Sequence, residues 1–422
     1  MHRVKHLVIF GYLSIIAFAG TASLAQTETE TAETVTTDDG PELSSGFAGP
    51  SSVPSQLDTI DEARKKSGRG WPTFPSLDQY GLSLGADLQV LYQHATESPA
   101  KNDAAGGVAR FFGQWTPFRS GAVDPGALVF KAEDRRRLGT DIAPQALAPT
   151  IGSAGLTAVP WSNAGGILTN LYWYQKFLDN RFSVLGGIID VTDFVDVYGL
   201  INPWTEFNNY AFSTNPTIPV PSQGLGGAAR WSITTNIYIH GGIADANGDP
   251  SDPGDSIDSF FDTREYFKHV EVGWVGSWEQ RFADNAHITA WQVDARQQAG
   301  VDSGWGTALS FSRLISDQWL PFVRAGYSDG GGASYERVIS AGLGYQLDER
   351  DDYVGVGASW GRPPTGTTSG NAIDQYTLEA YYRLQLFNHL QIAPSVQYII
   401  DPAYNQAIDD LWVLGLRVRA TF

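Results

Sequence analysis

The chain ends in the stretch LWVLGLRVRATF, residues 411–422, in which apolar and polar side chains alternate. Trp412 and Leu414 fall on one face of this stretch, whereas Arg417 and Arg419 fall on the other. Successive side chains of a β-strand point to opposite sides of the sheet, so a period of two predicts a strand with one apolar and one polar face.

The same alternation recurs upstream and predicts about sixteen strands. They lie near residues 81–94, 107–118, 126–133, 169–176, 181–189, 225–234, 236–244, 268–280, 286–297, 304–315, 319–328, 337–346, 352–361, 374–386, 390–399 and 410–422. The predicted connections are tight after most even strands, as at 177–180 and 316–317, and mostly long after odd strands, as at 134–168 and 190–224. This parity is typical of all-β antiparallel transmembrane barrels, which have short periplasmic turns and long external loops.

Composition agrees with a barrel and excludes other classes. No stretch has the length and apolarity of a membrane-spanning helix, and lipid tolerates only helices and closed barrels. The chain has no cysteine, so hydrogen-bond ladders rather than disulfides must hold it together. Its formal net charge of −18 argues against nucleic acid as a partner, because phosphates require a basic surface.

The N-terminal region precedes the predicted barrel and divides into two parts. Arg3 and Lys5 lead into an apolar run at 7–19, and Ser23 to Ala25 supply small residues where a signal peptidase cuts. We therefore expect a signal peptide at 1–25, cleaved after Ala25. Residues 26–78 form an acidic, Thr/Glu/Pro-rich segment that we expect to be a periplasmic linker, since it has few large apolar residues to bury. The predicted barrel occupies residues 79–422.

Two blocks of sequence resemble the carbohydrate-selective (OprB-type) porins. The first is YWYQKFLDNRFSV at 172–184, and the second runs from QYTLEAYYR at 375–383 through APSVQYI at 393–399 to WVLGLR at 412–417. The resemblance covers most of residues 80–422 and implies a sixteen-stranded barrel, an outer-membrane location in a Gram-negative bacterium, and diffusive uptake of small sugars. Leu185 stands where many members of this family carry a basic residue, so the lumen wall at this hairpin would be less cationic than in those porins.

The third external loop follows the fifth strand, and in porins generally this loop folds into the lumen and sets the constriction. Aromatic rings suit the C–H faces of sugars, and planar polar groups suit their hydroxyls. Packing of these aromatic residues against the barrel wall is the alternative interpretation. The candidate constriction residues are Asp190, Asp193, Asp196, Trp204, Glu206 and Asn208.

Strand alternation also predicts which polar residues face the lumen. Charges of opposite sign on facing pore walls would orient water and hydroxyl groups. Alternatively, these residues pair into salt bridges that merely satisfy the interior. The predicted lumen-facing residues are Glu271, Glu279, Asp294, Arg296, Arg324, Glu379, Tyr381, Arg383, Arg417 and Arg419.

Two further features carry separate predictions. The terminal aromatic Phe422 resembles the signal that barrel-assembly machinery reads. Asp245, Asn247 and Asp249 match the start of a calcium-binding loop, but Pro250 replaces the required glycine and Ser256 the bidentate glutamate. A solvated external loop is the alternative, and no firm metal site is predicted.

The sequence offers no nucleophile with a positioned base, so we predict a channel without cofactor rather than an enzyme. Small sugars are the expected solutes, and outer-membrane lipid and the barrel-assembly machinery are the expected partners. A porin for ions or organic acids on the same scaffold remains an alternative, as does a structural or adhesive barrel with a plugged lumen. The sequence does not distinguish between a monomer and a trimer.

Overall fold

A computed structural model describes residues 49–67, 77–117, 125–347, 352–364 and 372–422 of the chain. The predicted signal peptide and the linker residues 26–48 and 68–76 lie outside the described residues.

In the part of the chain that the structure describes, sixteen antiparallel strands form a closed barrel, which confirms the predicted fold. Each strand pairs with its neighbours in sequence, and β1 closes the barrel against β16 from Asp87↔Thr421 to Ala95↔Val413. The strands are β1 Leu82–Ala95, β2 Asp103–Trp115, β3 Gly126–Arg137, β4 Gly165–Phe177, β5 Phe182–Ile189, β6 Gly224–Ser232, β7 Ile237–Asp245, β8 Tyr266–Val275, β9 Asn285–Val293, β10 Gly304–Ser312, β11 Trp319–Gly330, β12 Arg337–Gln346, β13 Tyr353–Arg362, β14 Gln375–Phe387, β15 Leu390–Ile400 and β16 Asp410–Thr421.

The connections follow the predicted parity. The second and third external loops, L2 (138–164) and L3 (190–223), follow odd strands, whereas the tight turns at 178–181 and 388–389 follow even strands. Short helical pieces lie mainly in the external loops. They are α2 Leu147–Ile151, α3 Tyr210–Ser213, α4 Pro253–Asp258, a π-helical turn Ser259–Thr263, and 3-10 turns Asp78–Tyr80, Pro144–Ala146 and Val191–Asp193.

The two faces of the strands differ as their alternation predicts. In β16, Trp412 and Leu414 point outward and are 45% and 49% exposed, whereas Arg417 and Arg419 point inward and are 2% and 4% exposed. Apolar side chains can remain outside because lipid, not water, covers that surface. The polar residues instead face a lumen that other parts of the chain fill.

The helix α1 (Val53–Ser67) lies inside the barrel, which differs from the linker expected for this stretch. Val53, Leu57 and Ile60 are spaced along one face of the helix and are buried in a cluster with Phe112 of β2. This short apolar stripe allows the helix to pack on the inner wall of the barrel. The linker prediction depended on mean composition, which does not reveal so short a stripe.

Candidate functional site in the barrel lumen

L3 enters the lumen from the top of β5 and is fixed there at both of its ends. The Asp190 carboxylate caps the first turn by accepting from Thr192 N at 3.0 Å, and it also accepts from Gln223 Nε2 at 2.7 Å. Asp190 thereby joins the start and the end of L3, and the residues between them extend across the lumen.

Asp196 anchors L3 to one side of the wall. Its backbone N–H donates to Glu271 Oε2 of β8 at 2.8 Å, and its carboxylate binds His287 Nε2 at 3.0 Å and the Arg324 guanidinium. Asp196 has a φ of 53°, a left-handed conformation that is uncommon for a non-glycine residue. The surrounding ionic contacts hold it there.

The opposite wall receives the far half of L3. The backbone N–H groups of Asn208 and Asn209 each donate to the Glu379 carboxylate at 2.9 Å. Glu206 pairs with Arg383 and accepts from the Tyr381 hydroxyl. L3 therefore spans the lumen from β8–β11 to β14–β16, as predicted for the third external loop.

Arg417 stabilises the same stretch through main-chain carbonyls. Its guanidinium donates to the carbonyl oxygens of Pro203 and Glu206 and to the Asn208 side chain, each at 2.9 Å. A guanidinium presents donors in a fixed fork, so one side chain can hold three acceptors of a crossing loop.

Trp204 lies in the middle of L3 and is 4% exposed. Its ring centroid is 5.6 Å from that of Trp161 in L2, and the Arg110 guanidinium lies 4.3 Å from it. L2 itself enters the barrel mouth, where Thr157 O accepts from Gln93 Nε2 and Gln397 Nε2 at 3.0 and 2.8 Å. Trp204 is thus a packing contact between two loops and also borders a cavity in the lumen.

A third ionic group lies where the barrel closes. The Asp87 carboxylate of β1 accepts from Arg110 Nε of β2 at 2.7 Å and from Arg419 Nη2 of β16 at 3.1 Å. The sequence predicted Arg419 but not Asp87, which it binds, nor Arg110, which shares that carboxylate. The inward positions of β1 could have indicated Asp87, since the outward positions Leu88 and Val90 define the alternation.

The segment before α1 is attached to L3 at Asp193. Gly49 N donates to Asp193 O at 2.6 Å, and Ser51 Oγ donates to Asp193 Oδ1 at 3.2 Å. The second carboxylate oxygen lies 3.5 Å from Lys131 Nζ and accepts from Asn170 Nδ2 at 3.1 Å. Burial raises the pKa of the Asp193 carboxyl to about 6, against the attraction of Lys131.

Two cavities lie on opposite sides of residues 201–206. The external cavity, of about 260 Å³, is bordered by polar residues of β3 and L3 and by Trp204. The periplasmic cavity, of about 410 Å³, lies at the turn ends of β12, β14, β15 and β16. Ile201, Pro203 and Trp204 border the external cavity, and Asn202, Thr205 and Glu206 border the periplasmic one. This stretch of L3 therefore separates two polar compartments of the lumen.

The structure brings most of the predicted site residues together and leaves three apart. Six constriction candidates lie in L3 inside the barrel, and six of the wall candidates point inward from the strands: Glu271, Arg324, Glu379, Tyr381, Arg383 and Arg417, with Arg419 beside them at Asp87.

Glu279, Asp294 and Arg296 are wrongly assigned to the lumen wall. β8 ends at Val275, so Glu279 lies in the exposed turn that follows. Asp294 continues the outward face of β9 and pairs with Lys268 Nζ at 2.9 Å. Arg296 lies in the loop after β9. Glu279 was assigned by extending the alternation past the end of β8. In β9 the predicted phase is inverted, because the apolar side chains of Trp291 and Val293 are buried on the inward face.

The acidic external loop after β7 satisfies its carboxylates internally. Asp245 accepts from Asn247 N, Ser256 Oγ and Ser259 Oγ at 3.0–3.2 Å, and Asp249 accepts from Ser251. Within the described ranges, no group of three or more metal-ligating side chains converges. The geometry adds no support to the calcium prediction.

Comparisons with known proteins identify relatives of the chain. A family model described as "Carbohydrate-selective porin, OprB family" matches residues 136–422. The high-pH structure of Pseudomonas putida OprB aligns with a TM-score of 0.64 and 14% identity, covering 82% of this chain and 95% of that one. A mutant of the Rh. blastica porin aligns with a TM-score of 0.48 and 12% identity, covering 81% of this chain and 100% of that one.

At these identities the structural likeness concerns the fold alone. Comparison with curated proteins found no match. Among the described residues, no helix has the length and apolarity to cross a membrane.

Proposed function

Because this chain belongs to the carbohydrate-selective porin family OprB, we propose that small neutral sugars diffuse through its barrel past the crossing that L3 makes. The family and the closed barrel indicate an outer-membrane channel of a Gram-negative bacterium rather than an enzyme. The constriction residues and the identity of the solute are the parts of this account that we propose.

The observation that carries the proposal is the pair of polar cavities on the two sides of residues 201–206. Several amide side chains border the periplasmic one, among them Asn202, Gln346, Gln385 and Gln391. An amide both donates and accepts, which matches a sugar hydroxyl that also does both. Such a lining offers a neutral, hydroxylated solute many exchangeable hydrogen bonds.

Charge pairing also favours a neutral solute over an ion. Glu206 is paired with Arg383, Asp196 with Arg324, and Asp87 with Arg110 and Arg419. A permeating ion would have to compete with these pairs, whereas paired charges on facing walls orient hydroxyl dipoles without binding a counterion. These pairs are accordingly part of the sugar path in our proposal.

Planar bilayers with the purified protein test this function. We expect discrete conductance steps, and we expect glucose added to one side to reduce the ion current in a saturable manner. Conductance without any sugar effect would favour the porin for ions or organic acids, with a small organic anion as the next solute to titrate. Absence of steps would favour the plugged structural barrel and remove both porin functions.

We further propose that export precedes assembly, with residues 1–25 removed as a signal peptide. The intact mass of protein purified from outer membranes is the measurement. A mature chain beginning at Gln26 supports the proposal, and retention of Met1 contradicts it.

A further inference from the structure

The helix α1 contributes a surface to the lumen that no strand or external loop provides. Its apolar side packs on the inner wall, where Ile60 Cδ1 lies so close to Gly85 that a side chain added there would meet it at 2.9 Å. Phe112 of β2 completes this contact and is fully buried. The wall and the helix are therefore in direct contact, with no space for a solute between them.

The N-terminal end of the helix is fixed by L3. Pro50 O accepts from Asn202 Nδ2 at 3.3 Å, and Ser51 and Gly49 bind Asp193 as described. Gln56 Nε2 donates a hydrogen bond to the Ser51 carbonyl oxygen. These contacts place α1 beside residues 201–206 and link it to the loop that separates the two cavities.

The polar side of α1 borders the periplasmic cavity. Ser55, Gln56, Thr59 and Glu62 line it, together with Glu206 and Arg383 from the far wall. Asp58, on the same helix, does not border it. Gln56 Oε1 is buried and accepts no hydrogen bond from the residues that the structure describes. Thr59 and Glu62 are exposed, so a solute in this cavity can reach them, whereas Gln56 serves the fixed side of the helix.

We propose that α1 is a fixed wall of the sugar path and that Thr59 and Glu62 contact a neutral, hydroxyl-rich solute after it passes L3. The nature of the solute in this inference rests on the proposed function, whereas the position of the wall does not. According to this proposal, solute selectivity depends on α1 as well as on residues of the strands and external loops.

Substituted cysteines test the wall directly, because the chain has no cysteine and each variant carries a single thiol. Thr59→Cys is modified with a bulky, neutral methanethiosulfonate reagent, and Asp58→Cys is the matched control one residue away. We expect modification at position 59 to lower single-channel conductance by roughly twofold or more, because pore width limits ion flow, and to weaken glucose block. Modification at 58 should leave both unchanged.

Unchanged conductance after verified modification at position 59 would overturn the proposal. If conductance falls at 59 but glucose has no effect on any variant, the wall stands and the sugar function fails. Equal effects at 58 and 59 would also overturn it, because they would show general blockage of the lumen rather than contact at one face.

A disulfide distinguishes a fixed wall from a plug that must leave. Ile60→Cys with Gly85→Cys places two thiols within reach, and the nearest other atoms to the new side chain at position 85 belong to the Phe112 ring, at 2.7 Å, which can shift. We expect conductance and glucose flux to be the same in the oxidised and reduced forms. Loss of both on oxidation, with recovery on reduction, would show that α1 must move and would overturn the fixed wall. The two single-cysteine variants control for packing.

Discussion

Asp193 joins three parts of the lumen through one carboxyl group. It binds the segment before α1, lies beside Lys131 of β3, and belongs to the first turn of L3. Its pKa is raised from 3.8 to about 6, chiefly by burial. Folding therefore stabilises the protonated acid, and this contribution to stability is lost as the pH rises from about 4 to 6.

The charge of the external cavity should follow this titration. Asp193 borders that cavity with Asp190, Lys131, Glu133 and Arg135. Above pH 6 the Asp193 carboxylate is negative, and a unit charge alters the energy of an ion about 8 Å away by about 0.5 kcal/mol in water. Because the charge acts on cations and anions in opposite directions, we expect the cation-to-anion permeability ratio to fall by about fourfold as the pH drops from 7 to 5. Reversal potentials measure the ratio, and Asp193→Asn should reduce the dependence. A variant that keeps the full pH dependence would contradict this role.

Trp204 is the second residue whose environment has a measurable consequence. It borders the external cavity and packs against Trp161 and Arg110. We expect Trp204→Ala to weaken glucose block of the ion current, because the ring helps to shape the passage, while the sixteen-stranded barrel still assembles. Trp412→Ala, on the outward surface, is the control. If glucose block is equal in wild type and Trp204→Ala, the site lies elsewhere in the lumen.

Among the elements, L3 depends on its anchor at Glu379. This buried carboxylate accepts two backbone N–H groups, from Asn208 and Asn209. In Glu379→Gln one oxygen becomes a donor, and a buried N–H left unpaired costs about 1–3 kcal/mol. We expect greater open-channel noise as the loop becomes mobile. Glu97→Gln, the same change in an exposed external loop, is the control. Noise at the wild-type level in Glu379→Gln would show that the contact does not hold L3.

The last strand carries the second prediction about an element. Phe422 N donates to Ala86 O at 2.8 Å, and Ala86 N donates to Phe422 O at 3.2 Å, so the terminal residue completes the closing pair of strands. We expect deletion of Phe422 to lower the fraction of folded, heat-modifiable protein in outer membranes and to leave the solute preference of the folded fraction unchanged. Phe422→Tyr should assemble normally. Full assembly of the deletion variant would contradict its role as an assembly signal.

The strands were predictable from the sequence because each has its own repeating signal. Outward positions such as Leu414 and inward positions such as Arg417 alternate without reference to the rest of the chain. Glu279 was misplaced by extending that signal past the end of β8, whereas Asp294 was misplaced because the apolar Trp291 and Val293 of β9 point inward.

The contents of the lumen were less predictable because they depend on contacts between distant residues. Gln397 donates a hydrogen bond to Thr157 and Ser51 donates one to Asp193, and no local sequence pattern links the members of these pairs. Loop length indicated L3, but it did not distinguish L2, which also enters the barrel. The stripe Val53, Leu57 and Ile60 was the available signal for α1, and its wall partners come from strands that alternate poorly in sequence.

At the scale of the whole molecule, the barrel wall is generic and its contents decide what passes. L2, L3 and α1 occupy the lumen and leave two polar cavities, separated by residues 201–206. The ionic pairs of Asp196 with Arg324 and of Glu206 with Arg383 fix L3 to opposite walls. We propose that L2, L3 and α1, rather than the strands alone, form the passage.

Liposome swelling with the purified protein tests the central claim most directly, since it measures net solute flux rather than ion current. Glucose is compared with an uncharged amino acid of similar size in the same vesicles. We predict that glucose enters faster by at least about twofold, because its hydroxyls exchange hydrogen bonds with the amide-rich lining. Equal rates for the two solutes, or no swelling with either, would contradict sugar-selective diffusion through this barrel.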